Sequence, residues 1–335
     1  MTDSGRFRVG LVGAGNISAL HMRAWQEYGA DVTVFSLQGA EELARRFGAS
    51  TAPDLESLLD AVDLVDIVTP SGTHEEIALA AIAAGRHVIC EKPLASTPEG
   101  AERIVLAARA AGVRVFPAHV CRYFPEYVEM KRQLDAGRIG RPAVVRLSRV
   151  AAAPPPGSWF FDEDAGGGVI RDLLIHDLDL ARWLAGEVTS VYAVQSPASR
   201  GAAMHSCVVA QVVLTHEDGA ICVVHGSWGP AGMPFRTTVD VAGSAGTLHY
   251  SSRGEDAVVF EGSSRADGDS YLPAIVGASP YSQEIREFAE AIREGGDARV
   301  SDADGIAAVR IADAAYLSIR SGEPVRITAE EDPTR

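Results

Sequence analysis

Cysteine is scarce in this sequence. The four cysteines, Cys90, Cys121, Cys207 and Cys222, fall in no CxxC or Cys/His metal spacing. That argues against a disulfide scaffold and against a structural zinc site, and it points to reduced thiols. Basic residues are also few: 30 Lys and Arg stand against 45 Asp and Glu, for a net charge of -15. Such a surface repels phosphate backbones and anionic leaflets, so neither nucleic acid nor membrane is expected as a partner. No apolar run is long enough to span a bilayer. The opening "MTDSGRFRVGLVGAG" has no apolar stretch with a cleavage site, and a cytoplasmic protein is expected. Lys92, Asp172 and His176 have no metal-ligand cluster around them, so no metal is expected.

Hydrophobic residues are plentiful at 47%, and 335 residues are too many for one ordinary core. Two domains are expected, residues 1–120 and 121–335. The first alternates short apolar runs with longer amphipathic segments: "FRVGLVGAG", "DVTVFSL", "LVDIVTP", "RHVICEKP" and "VRVFPAH" read as strands with helical stretches between them. Continuous apolar strands in strand–helix alternation predict a doubly wound parallel sheet, α/β in class. The second half has successive strand-like runs, "VTSVYAVQS", "SCVVAQVVLTH", "AICVVHGSW" and "FRTTVDVAGS", which predict antiparallel pairing. Before them "VIRDLLIHDLDLARWLAG" reads as one helix with Leu173, Leu174, Leu178, Leu180 and Leu184 available for burial. The late helix "YSQEIREFAEAIREG" reads as an acidic solvated face over a core face, and "EGSSRADGDSY" is the most flexible-looking stretch.

The first strand runs into Gly13-Ala14-Gly15-Asn16-Ile17-Ser18 and then a helix. Glycine at the first two positions allows a tight turn and close approach of a pyrophosphate to the helix N-terminus. Gly13, Gly15, Asn16 and Ile17 are therefore candidate dinucleotide contacts. Ser18 replaces the third glycine. After the second strand the sequence is Phe35-Ser36-Leu37-Gln38, without the carboxylate that holds the ribose of NAD and repels a 2′-phosphate. Ser36 leaves room for that phosphate and can donate to it, so the sequence leans to NADP over NAD. Arg45 and Arg46 read as solvated helix positions.

"EKP" after the fourth strand, "VGLVGAGNISALH", "DIVTPSGTHEEIALAAIAAGRHVICEKPLA", "CRYFPEYVEMKRQLDAGRIGRPAVVRLSR" and "GGGVIRDLLIHDLDLARWLAGEV" together resemble the Gfo/Idh/MocA oxidoreductases over almost the whole chain. The resemblance implies an N-terminal Rossmann domain and a C-terminal α/β domain with a large, mostly antiparallel open sheet that supports homodimers or homotetramers. It implies that Lys92 lies beside the nicotinamide and hydrogen-bonds the reacting oxygen, a fixed donor for alkoxide character. Asp172 and His176 match the family's catalytic positions; four residues apart on a helix, they would share a face. His176 would move the hydroxyl proton, and Asp172 would bind a substrate hydroxyl and orient the imidazole.

Thr69, Pro70 and His74 match the cofactor-side loop, and Glu91 joins that set through the EKP segment. Arg122 matches a position near the nicotinamide; its other role is an ion pair. Trp159, in the proline-rich stretch 153–168, is either a stacking surface for a sugar ring or a loop anchor. His119 ends the last strand of the first domain, and Gly166 to Gly168 would let backbone approach a ligand. The implied activity is NAD(P)-dependent hydride transfer at a secondary hydroxyl or ketone of a sugar, polyol or cyclitol. Two alternatives stand beside it: a glycosidase that oxidises its substrate transiently, and a regulator that senses cofactor and sugar without turnover.

Overall fold

Six parallel strands in the order β3-β2-β1-β4-β5-β6 form the first sheet: β1 (Arg8–Val12), β2 (Asp31–Phe35), β3 (Ser50–Thr51), β4 (Leu64–Ile67), β5 (His87–Glu91) and β6 (Val115–Ala118). This description comes from a computed structural model and covers residues 6–162, 167–197, 207–253 and 279–327. Helices connect successive strands: α1 (Ser18–Tyr28), α2 (Ala40–Phe47), α3 (Leu55–Ala61), α4 (His74–Ala83) and α5 (Pro98–Ala111). The order reverses direction at β1, so the chain ends of β1 and β4 flank the switch point where such sheets bind ligands. The four residues of β4 and the last four of β1 are all buried, as strands covered on both faces must be. Pro117 lies in β6, the edge strand, where a missing N–H costs no ladder bond.

The chain divides into two compact units, residues 1–124 with 275–306 and residues 125–274 with 307–335. In the first unit α8 (Pro280–Glu294) packs on α1, and Phe288 stacks on Phe116 with ring centroids 4.8 Å apart. The second unit holds a seven-stranded sheet in the order β12-β11-β7-β10-β9-β8-β13. Its strands are β7 (Pro142–Ala152), β8 (Val188–Ser196), β9 (Val208–His216), β10 (Ile221–Gly229), β11 (Arg236–Gly243), β12 (Gly246–Ser251) and β13 (Val325–Arg326). Every pair is antiparallel except β7 with β10. The remaining helices are α6 (Pro125–Asp135), α7 (Ile175–Ala185) and α9 (Asp302–Ser321). Among the described residues no helix is long and apolar enough to cross a membrane.

Two expectations need correction, and one falls outside the described residues. The segment expected as a single helix begins as a π-helix over Val169–Leu174 and becomes α-helical only at Ile175. All five of its leucines are buried, as expected, with π-segment and α7 packed on the β7–β10 part of the sheet. The acidic helix α8 is not simply solvated on its polar face, because Glu284 is 0% exposed. The stretch "EGSSRADGDSY" lies outside the described residues.

Candidate active site

In the first unit, the loops after β1, β4 and β5 are tied to one another. Gly13 adopts φ +116°, and a Cβ there would sit 2.7 Å from the Val68 carbonyl oxygen. Only glycine lets the turn after β1 lie that close to the backbone after β4. Ser18, in place of the third glycine, is wholly buried and donates to the Gly13 carbonyl at 3.2 Å, so the substitution ties the turn to its helix. Beneath it Leu11, Met22, Val34, Leu43 and Val68 form one apolar cluster against which Ala14 and Ile17 pack.

Gly15 is different. A Cβ at Gly15 meets no atom within 4 Å, and the backbone there has ordinary geometry. The turn thus leaves open space over Gly15 at the N-terminus of α1, which fits the pyrophosphate of a dinucleotide. Gly13→Ala is therefore expected to destabilise the fold by about 1–3 kcal/mol through backbone strain. Gly15→Ala should leave the melting temperature nearly unchanged and weaken dinucleotide binding. Paired thermal melts and cofactor titrations of the two variants check this.

The buried His74 joins the next two loops. Its Nδ1 lies 2.7 Å from the Pro93 carbonyl oxygen and its Nε2 lies 2.9 Å from that of Thr69. Burial lowers its pKa, against the two carbonyl contacts. A neutral ring donates through one nitrogen only, so one of these two contacts is the working hydrogen bond. The Thr73 hydroxyl lies 2.8 Å from both the Thr69 hydroxyl and the Pro70 carbonyl oxygen, which closes the Thr69–Pro70 corner.

β5 ends in Glu91, followed by Lys92 and a cis Lys92–Pro93 bond. The Lys92 backbone N–H donates to Glu91 Oε2 at 3.0 Å. Glu91 is buried, which pushes its carboxyl up, but hydrogen bonding to His21 and the charges of His21 and Lys92 hold it below the usual range. Ser36 follows β2 directly and is half-buried, while Leu37 beyond it is 94% exposed. Arg45 and Arg46 are exposed, as expected.

Arg122 is buried and ion-paired with Asp304 at 3.0 Å, and it also donates to the Arg299 carbonyl at 3.1 Å. Its guanidinium thus has a structural partner set within the first unit. His119, just after β6, is buried.

In the second unit, Asp172 lies within the π-segment and is buried, and His176 is half-buried in the first turn of α7. A π-segment winds more loosely than an α-helix, so the i,i+4 face expected for a regular helix applies only from Ile175 onward. Such insertions recur at functional sites. Asp177 is 1% exposed and paired with buried Arg149. Trp159 is half-buried in a short 3₁₀ turn, stacked on Phe160 at 4.1 Å. Gly167 and Gly168 bond back to the carbonyls of Asp162 and Phe160, and Gly166 lies outside the described residues. Among the described residues, no group of three His, Cys, Asp or Glu is placed to hold a metal ion.

Comparison with known proteins bears on both units. Residues 7–119 match the model of an oxidoreductase family with an NAD-binding Rossmann fold, and residues 127–249 match the GFO/IDH/MocA C-terminal domain. Inositol 2-dehydrogenase 4 of Saccharopolyspora erythraea is 31% identical over 97% of each chain. The crystal structure of GenD2 from gentamicin A biosynthesis, in complex with NAD, superposes with a TM-score of 0.84 at 28% identity and covers 98% of each chain. Levoglucosan dehydrogenase in complex with NADH and levoglucosan gives a TM-score of 0.81 at 27% identity, covering 96% of this chain and 99% of that one.

Proposed function

The chain belongs to the GFO_IDH_MocA oxidoreductase family, and on that footing we propose that it is a nicotinamide-dependent dehydrogenase acting on a secondary hydroxyl of a cyclitol or cyclic sugar. The observation that carries this reading is the Glu91-Lys92-Pro93 segment at the carboxyl end of β5, joined through His74 to the loop beside the glycine turn. A relative named as an inositol dehydrogenase and a neighbour solved with NADH and levoglucosan support the substrate class.

A bound nicotinamide supplies the hydride acceptor for oxidation and the donor for reduction. In oxidation the carbinol carbon loses a hydride and its oxygen loses a proton. Lys92 donates to that oxygen and stabilises alkoxide character. His176 takes the proton, and Asp172 holds the imidazole and a neighbouring substrate hydroxyl. Thr69, Pro70 and His74 shape the cofactor-side loop. Trp159, stacked on Phe160, anchors the proline-rich loop.

The cofactor choice rests on Ser36. The four residues from Phe35 to Gln38 carry no carboxylate to exclude a 2′-phosphate, so the pocket is read as admitting NADP, with NAD as the other cofactor. Separate titrations with NADPH and NADH, read by fluorescence, test this. NADPH binding tighter by tenfold, about 1.4 kcal/mol, is the expected result, and Ser36→Asp should reverse the preference. Tighter NADH binding by the unsubstituted protein would remove the argument from Ser36.

Self-association through the second sheet belongs to the same reading. Tyr192, Val194, Val209 and Ile221 on β8, β9 and β10 are 39–48% exposed, an apolar face broader than an isolated surface residue provides. Sedimentation equilibrium should report a dimer or tetramer that Val194→Glu shifts toward monomer. A monomer at micromolar concentration would contradict it. The reading also places the enzyme in the cytoplasm, which suits a chain whose four cysteines form no disulfide.

A further inference from the structure

Asp66 stands in the middle of β4, wholly buried between Val65 and Ile67. A carboxylate in such a place needs partners, since an unpaired buried charge is among the costliest features a fold can carry. Its Oδ2 accepts from Trp25 Nε1 at 2.7 Å and lies 2.9 Å from His21 Nδ1. The other ring nitrogen, His21 Nε2, lies 3.1 Å from Glu91 Oε1. His21 is itself 0% exposed. A neutral imidazole has one N–H and cannot donate to carboxylates on both sides, so the geometry calls for an imidazolium. Burial opposes that charge, yet Asp66 and Glu91 outweigh it and hold His21 protonated well above the ordinary histidine range.

A third acid closes the cluster. Glu284 comes from α8, which packs on α1, and neither of its carboxyl oxygens is hydrogen-bonded. Burial, reinforced by the charges of Glu91, Asp66 and Glu287 and opposed by His21, pushes its carboxyl well above the usual range. Tyr281 of the same helix lies with its ring centroid 6.0 Å from that of His21.

We propose that His21 is a positioning residue for hydride transfer: by bridging Asp66 and Glu91 it fixes the carboxylate that holds the Lys92 backbone, and so fixes Lys92. The proposal rests on the role assigned above to Lys92. The consequence is physical. Glu91 holds His21 with one oxygen and the Lys92 N–H with the other. Without His21, Lys92 is the other cation whose charge acts on the buried Glu91 carboxylate, and an ion pair there draws the ammonium away from the substrate oxygen. A displacement of about 1 Å at a catalytic group costs on the order of a hundredfold in rate.

The test is a double-mutant cycle of His21→Gln and Lys92→Met in the full-length protein, with NADH or NADPH affinity measured alongside. The expected result is a fall in kcat of about tenfold to a hundredfold for His21→Gln, cofactor affinity within about threefold of wild type, and no further loss when Lys92→Met is already present. A kcat within about twofold of wild type would overturn the proposal, as would an equal loss in the Lys92→Met background. Should His21→Gln fail to fold, ¹⁵N-histidine NMR of the wild type decides. A His21 ring still doubly protonated above the ordinary histidine range supports the bridge, and a ring already neutral there overturns it. Wild-type protein that transfers no hydride to or from any cyclitol or sugar would instead overturn the functional reading, and with it the role of Lys92. That outcome is separate from a working enzyme indifferent to His21.

Discussion

Lys92→Met is expected to lower kcat by about 10²–10³-fold, the usual loss when one fixed donor to a developing oxyanion is removed. The methionine keeps the length and apolar stem of lysine but carries no N–H, so the Glu91-Pro93 backbone has no reason to move. Glu91 loses a neighbouring positive charge, yet His21 still holds its Oε1 and the residue 92 N–H still reaches Oε2. Cofactor affinity should therefore change little, and most of the effect should fall on kcat, the pattern of an interaction made in the transition state. Steady-state kinetics with a cofactor titration of the same variant distinguish this from a collapse of the nicotinamide side. A variant that lost cofactor binding and kept kcat would assign Lys92 to binding rather than to chemistry.

His176→Gln is the second large effect. A positioned general base contributes about 10²–10⁴-fold, so kcat/KM for alcohol oxidation should fall by that order. The pH dependence carries the sharper information. Imidazole must be neutral to accept the hydroxyl proton. In the parent enzyme kcat/KM for oxidation should thus decline at pH values where the imidazole is protonated. The glutamine variant should lack that acid limb while retaining a low, flatter rate. Asp172→Asn should keep the limb but shift it, because the imidazole stays in place with a weaker orienting partner. An acid limb unchanged in His176→Gln would assign the proton transfer to another group.

Much of this was legible in the sequence, for reasons specific to each segment. Continuous apolar strands separated by amphipathic stretches mark a parallel sheet because no strand has a solvent face, and β1, β2, β4, β5 and β6 lie where that pattern placed them. The two-residue strands β3 and β13 carry too few side chains to show a period. β12 follows β11 after a tight turn at Gly243 and Gly246, and its pattern is polar enough to pass for loop. The π-segment at Val169–Leu174 was hidden for a different reason. Its residues are all buried, Arg171 and Asp172 among them, and a short run buried all round reads alike whether the backbone winds as α or π.

The candidate cofactor-side residues could be nominated from sequence because each lies in a local motif. The His21 cluster was missed because its members come from positions 21, 66, 91 and 284, and no short window holds two of them. Glu284 in particular looked like one more solvated acid in a helix that also carries Glu287, Glu290 and Glu294. One signal was present: an aspartate inside "LVDIV", a strand otherwise fit for complete burial, implies a buried partner. Which partner it is depends on how α1 lies against β4, and that is a property of the packed fold.

The most direct test of the central claim is a single-turnover reaction. Purified enzyme would be mixed with oxidised cofactor and inositol or a cyclic sugar, protiated or deuterated at the reacting carbon, while the absorbance of reduced nicotinamide is followed. The account predicts stoichiometric formation of reduced cofactor with a primary isotope effect, at a rate about 10²–10³-fold lower in Lys92→Met. No reduced cofactor with any member of a cyclitol and sugar panel would contradict it, as would glycoside cleavage with no net change in the cofactor.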